Sequence, residues 1–167
     1  MPNPSSSGGT IPPPGTGSLS LKPLVLNELM ASNSVTLTNP QLQGDYPDWF
    51  EIYNPNTIAI NLAGMYVTDD LSNFKKYRIP GNSSFTNIPP KSYIVLYADD
   101  TVSLGPLHVA FKLSATGEQL GLADTSGNPI DSVRFGAQTS DISFGRLPDG
   151  TGAFQFTTSA TPGARNQ

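Results

Sequence analysis

What most limits the fold of this chain is its punctuation. From Leu24 onward, short runs rich in Val, Ile, Leu, Tyr and Phe are interrupted by Gly, Pro, Asn, Asp or Ser every roughly eight to twelve residues, and no long helical period competes. The spacing predicts strands at 24–30, 35–37, 49–54, 59–62, 65–68, 76–79, 93–97, 109–113, 119–123, 130–135, 143–146 and 154–157. Between Asp48 and Asn54 the side chains alternate, with Trp49, Glu51 and Tyr53 on one face and Phe50 and Ile52 on the other. By that alternation Phe50 and Ile52 face a core and Trp49 is expected at the surface. Turn residues sit where hairpins need them, at Asn54-Pro55-Asn56, Ala115-Thr116-Gly117, 125–129 and 148–152. An all-β sandwich is expected.

The 167 residues are 37% apolar, enough with the glycines to build one sizeable core. Residues 1–23 differ in kind: Pro, Gly and Ser dominate, with almost no charge or large apolar side chain. They cannot bury enough surface to offset the entropy of ordering, so they read as a disordered linker preceding a folded domain at 24–167. A net charge of −4 is the wrong sign for a phosphate-backbone binder, which makes nucleic acid an unexpected partner. The chain has no cysteine, which excludes disulfides, thiolate nucleophiles and cysteine-ligated metals. No apolar run approaches the length of a membrane span, so no membrane insertion is expected. Met1-Pro2-Asn3-Pro4 lacks the basic and apolar regions of a secretion signal, and the chain reads as a piece of something longer.

Eight segments in order resemble the lamin tail domain family. They are Val25-Leu26-Asn27-Glu28-Leu29-Met30, Asp48-Trp49-Phe50-Glu51-Ile52-Tyr53-Asn54-Pro55, residues 60–69, Tyr77-Arg78-Ile79-Pro80, residues 88–96, residues 112–124, Gly127-Asn128-Pro129-Ile130-Asp131-Ser132-Val133, and the closing Thr161-Pro162-Gly163-Ala164-Arg165-Asn166. The resemblance implies an immunoglobulin-like β-sandwich and a non-catalytic module. It points to the bacterial branch of the family, whose members are appended to secreted and surface proteins, because no coiled-coil heptads precede the domain. The stretch 41–47 is longer than in the family pattern. No agreed ligand exists for such domains, so the resemblance assigns no binding residue.

Several residues invite chemistry. Glu28 and Glu51 lie inside apolar runs, and paired carboxylates are what glycoside hydrolysis needs. The resemblance puts both in framework strands, where an ion pair or backbone contacts are expected to satisfy them. His108 is the single histidine, no Gly-x-Ser-x-Gly nucleophile motif accompanies it, and a structural role is expected. Asp124-Thr125-Ser126-Gly127-Asn128 looks like the opening of a calcium loop, yet Phe135 stands where the closing acid belongs, so a tight turn is expected. Asp45, Asp48, Asp69, Asp70, Asp99 and Asp100 could ligate calcium if their loops converge. Calcium is therefore the one cofactor considered. Tyr46, Trp49, Tyr53, Tyr66, Tyr93 and Tyr97 could stack on sugar rings, above all Tyr46 and Tyr53 in a patch around Trp49. Lys75-Lys76 with Arg78 reads as edge protection, and Asn82-Ser83-Ser84 fits a glycosylation acceptor.

Two functions follow from these features. The first is a monomeric, non-catalytic interaction or tethering module of a larger bacterial secreted or cell-surface protein, located outside the cell and facing a protein or cell-surface component. The second is a carbohydrate-binding module that uses the aromatics and calcium.

Overall fold

The computed structural model describes residues 20–81 and 83–167. The linker assignment over 1–19 and Asn82 of the acceptor pattern lie outside the described residues. In chain order the strands are β1 (Val25–Met30), β2 (Asp48–Tyr53), β3 (Ile60–Asn61), β4 (Tyr66–Thr68), β5 (Tyr77–Arg78), β6 (Asn87–Ile88), β7 (Tyr93–Ala98), β8 (Glu118–Ala123), β9 (Pro129–Phe135), β10 (Ser143–Leu147) and β11 (Ala153–Thr157). They form a five-stranded sheet ordered β11-β10-β1-β2-β7, a four-stranded sheet ordered β5-β4-β8-β9, and a two-stranded β3-β6 ribbon. Neighbouring strands pair antiparallel.

The core lies between the two larger sheets. Leu26, Leu29, Phe50, Ile52 and Leu96 of the first join Val67, Leu120, Leu122, Val133 and Phe135 of the second in one buried cluster. Phe111 stacks on Phe50 with ring centroids 6.2 Å apart. The fold is the β-sandwich that the alternation and turn pattern imply, and its immunoglobulin-like form is the one that the family resemblance implies.

Two expected strands do not form. At 35–37 side chains capture the backbone groups that a ladder would use. Asn33 Oδ1 accepts the Thr36 and Leu37 N–H groups, and Asp141 Oδ1 accepts those of Ser34, Val35 and Thr36. Asn and Asp thus offer the chain an alternative to sheet pairing. At 109–113 the alternation is right, since Val109, Phe111 and Leu113 enter the core. Instead of a strand ladder, isolated bridges join this stretch to the end of β7 and the residue after it, Tyr97 to His108 and Asp99 to Lys112.

Trp49 is a correction of a different kind: it is not a surface residue but 0% exposed. Alternation places it correctly on the face of β2 away from the main core, but that face is not wet. Met30, Trp49 and Tyr97, which are neighbours across β1, β2 and β7, form a second buried cluster beneath Leu37 of the loop before β2 and Ala160 of the C-terminal segment. A period of two identifies which residues share a face, not what covers it.

Candidate functional site

Next to the Trp49 row on this covered face lies a row of charge. Glu28 and Glu51 stand directly opposite each other across β1 and β2, at 1% and 0% exposure. The pairing register slips between Leu26 and Glu28, so Asn27 is the extra residue of a bulge. Its side chain donates from Nδ2 to Glu51 Oε1 at 2.9 Å and to Asp149 Oδ1 at 3.1 Å. Asp149 arrives from the β10–β11 hairpin, where Gly150 has a φ of +66°. A Cβ on Gly150 would come within 2.9 Å of the Tyr53 ring, so glycine is needed there for both conformation and space.

The remaining partners of these acids come from the closing segment. The Thr161 N–H donates to Glu28 Oε2 at 3.1 Å and the Gly163 N–H to Glu51 Oε2 at 2.6 Å. Asn166 donates its N–H to Asp149 Oδ1 at 3.0 Å and its Nδ2 to the carbonyls of Asn27 and Arg146, each at 3.1 Å. Ser143 Oγ donates to Glu28 Oε1 at 2.5 Å, and Tyr93 Oη to Asp149 Oδ2 at 2.6 Å. The result is a clasp in which three carboxyl groups, Glu28 and Glu51 on the outer face of the first sheet and Asp149 in its β10–β11 hairpin, hold residues 161–166 against the sheet. Carboxylates buried this way cost several kcal/mol unless each oxygen is hydrogen-bonded, as here.

Burial raises the Glu28 carboxyl above its ordinary value despite the hydrogen bonds from Ser143 and Thr161. Burial, with the nearby charges of Glu28 and Asp149, pushes Glu51 up to about 8. For an acid whose folded-state pKa exceeds its unfolded value, the folded chain holds the proton that the unfolded chain releases, so stability falls as pH rises through that window. The window for Glu51 runs from 4.5 to about 8. At the acid end Asp70, Asp124 and Asp141, held below the usual carboxylate range by hydrogen bonds from Ser72, Asn128 and Ser34, lose their contribution as they protonate. The melting temperature is therefore expected to peak near about pH 5 and to decline towards pH 8, with a stability loss of about 2–4 kcal/mol. Glu51→Gln sets an amide donor against the N–H groups of Asn27 or Gly163 and lowers the whole curve, but it removes most of that decline. A wild-type melt that is flat from pH 5 to 8 contradicts this reading.

Of the residues singled out for chemistry, Asp45, Tyr46, Asp48 and Asp99 come together in one cleft and the others do not join them. Asp45, Tyr46, Asp48, Asp99, Thr101 and Lys112 line a cleft of about 330 Å³ between the loop before β2 and the end of β7. Their carboxylates are engaged within the protein. Asp45 accepts from Asn39 Nδ2 at 3.0 Å, Asp48 from the Asn33 N–H at 3.2 Å, and Asp99 from the Thr101 N–H at 2.9 Å. Burial raises the Asp48 carboxyl, with Lys112 opposing. Asp69 and Asp70 lie after β4, where Asp69 pairs with Lys76 and Asp70 accepts from Ser72. Asp100 is exposed, with a φ of +59°. Among the described residues no three of His, Asp and Glu stand close enough to share a metal ion.

Tyr46 and Tyr53 flank opposite ends of β2 with the buried Trp49 between them, so the three do not form one platform. Tyr53 stacks on Tyr93 at 4.8 Å and borders a groove of about 320 Å³ with Lys91, Asp149 and Thr151. His108 is 0% exposed. Its Nδ1 meets Asp99 Oδ2 at 2.7 Å and its Nε2 meets Gln41 Oε1 at 3.0 Å, so an amide occupies the place where a triad would need a nucleophile. Asp124 accepts from the N–H groups of Ser126 and Asn128, each at 2.8 Å, and so closes a turn.

Asn27, Asp149 and Ser143 belong to the clasp although no motif in the sequence marks them, and Tyr93 belongs to it through its hydroxyl rather than as a sugar-stacking ring. The one local signal was the polar doublet Asn27-Glu28, which breaks the alternation of β1 by one residue, as a bulge does.

A model of the lamin tail domain family matches residues 19–137. No curated protein matches the chain. The matched span stops short of β10, β11 and the closing segment, which complete the five-stranded sheet and the clasp.

Proposed function

The chain belongs to the lamin tail domain family, and from that premise we propose that it serves as a non-catalytic interaction or tethering module of a larger bacterial secreted or cell-surface protein, contacting a protein or surface component outside the cell. One observation carries the reading: the acid pair best suited to hydrolysis is consumed as a fastener. Glu28 and Glu51 are buried and spend their oxygens on Ser143, Thr161, Asn27 and Gly163, with none facing a cavity that a substrate could enter. The single histidine is likewise enclosed between Asp99 and Gln41. A sandwich fastened in this way is a rigid scaffold that presents loops and sheet edges.

A second reading, a carbohydrate-binding module supported by calcium, draws on the cleft where Tyr46 stands beside Asp45, Asp48 and Asp99. Thermal melts of the full chain with millimolar calcium, with EDTA and with soluble polysaccharides separate the two. Unchanged melting across the panel and no turnover on any polysaccharide are expected of the tethering module. A shift of several degrees with calcium or a glycan overturns it in favour of the second reading, and hydrolysis overturns both.

A further inference from the structure

We propose that β11 is a self-association edge, at which two copies of the chain pair antiparallel about a two-fold axis through Gln155. Each of the larger sheets ends in two edge strands, and three of the four edges are protected over all or part of their length. The segment 107–112 covers the Tyr97 end of β7, with Tyr97 N–H donating to Leu107 O at 2.8 Å and Val109 N–H to Tyr97 O at 2.9 Å. β5 is only two residues long, includes Arg78 and follows Lys75 and Lys76. β9 begins at Pro129, carries Asp131 and Arg134, and is irregular in register beside Leu122 and Ala123. Shortness, charge, proline and irregularity are the devices that keep an edge from pairing with another chain.

β11 has none of them. Ala153–Thr157 pairs with β10 in unbroken register along its whole length and contains no charge and no proline. On its other side, its main-chain groups meet no partner among the described residues. Ala153, Gln155 and Phe156 are exposed, Phe156 at 54%.

The occupant follows from the strand's own symmetry. Phe154-Gln155-Phe156 reads the same in both directions, so an antiparallel pair centred on Gln155 places Phe154 opposite the second copy's Phe156 twice and Gln155 opposite itself. Such a contact is isologous and closes after two copies. Phe144 already stacks on Phe154 and Phe156 at 5.2 and 4.8 Å, and pairing would extend this aromatic cluster across both copies. The uncharged edge lets two chains of net charge −4 approach without local repulsion. A five-residue edge offers less area than the roughly 1,200 Å² of a stable complex, so the pairing is reversible and weak. The monomer expected from the sequence then describes dilute solution.

Sedimentation equilibrium of the full chain from about 10 μM to 1 mM tests this. The weight-average mass is expected to climb from 17.7 kDa towards twice that value. Gln155→Lys and Gln155→Glu each place like charges across the axis and are expected to weaken association at least roughly tenfold, whereas an equimolar mixture of the two restores it. Gln155 is exposed, so both variants should melt close to the wild type. A mass that stays at one chain throughout, single variants that associate like the wild type, or a mixture that fails to recover each overturns the proposal.

Discussion

A chain shortened to end at residue 160 is expected to be less stable than the full chain by about 3–5 kcal/mol. The shortened chain keeps Glu28, Glu51 and Asp149 but loses the donors of Thr161, Gly163 and Asn166 that satisfy them. Removing one side of a buried hydrogen-bonded charge network costs more than the network contributes, because the remaining groups stay desolvated. Water entering the vacated face limits the loss, and it has a second consequence. Glu51, now wetted, returns towards its ordinary value, so the decline in stability from pH 5 to 8 should flatten in the shortened chain. Urea unfolding at several pH values reads both effects. If residues 161–166 are only a trailing end, the midpoint and the pH slope will match those of the full chain.

Trp49→Ala is expected to cost about 3–5 kcal/mol, the range for emptying an aromatic site in a packed core. Trp49 is fully buried on the outer face of the first sheet, between Met30 of β1 and Tyr97 of β7. The cavity would lie under Leu37 and Ala160, which hold the loop before β2 and the C-terminal segment on the sheet, so both covers should loosen together. Trp49→Phe should cost far less. It keeps most of the apolar volume and removes an indole Nε1–H that is buried without a partner among the described residues. A surface Trp49 would behave otherwise, its alanine variant changing stability by no more than about 0.5 kcal/mol. Thermal melts of the two variants decide between these cases.

Much of the fold was legible because the strands obey local rules. The alternation in 48–54 and the turn residues at 125–129 and 148–152 marked β2, β9, β10 and β11 to within a residue or two, because pleat and turn geometry depend on neighbours in sequence. Failures came where distant residues decide. Val35 sits in a sequence that suits a strand, yet Asp141, far along the chain, captures its N–H. Trp49 was assigned to the correct face and the wrong environment, because its cover comes from Leu37 and Ala160. The clasp was half visible. Glu28 and Glu51 stood out as charges in apolar runs, whereas Asp149 looked like an ordinary hairpin residue until the fold brought it to Asn27, Tyr93 and Asn166.

Glu28 and Glu51 act as fasteners of the C-terminal segment. Amide hydrogen exchange at Thr161 and Gly163, followed by NMR in the wild type and in Glu51→Ala, tests that most directly. In the wild type both N–H groups donate to buried carboxylates, so both should exchange slowly, approaching the protection of the β2 amides. In Glu51→Ala, Gly163 should lose at least roughly a hundredfold in protection while the inner strands keep theirs. Exchange at unstructured-chain rates in the wild type, or protection of Gly163 that survives the loss of Glu51, would contradict the clasp and reopen the acid pair to another role.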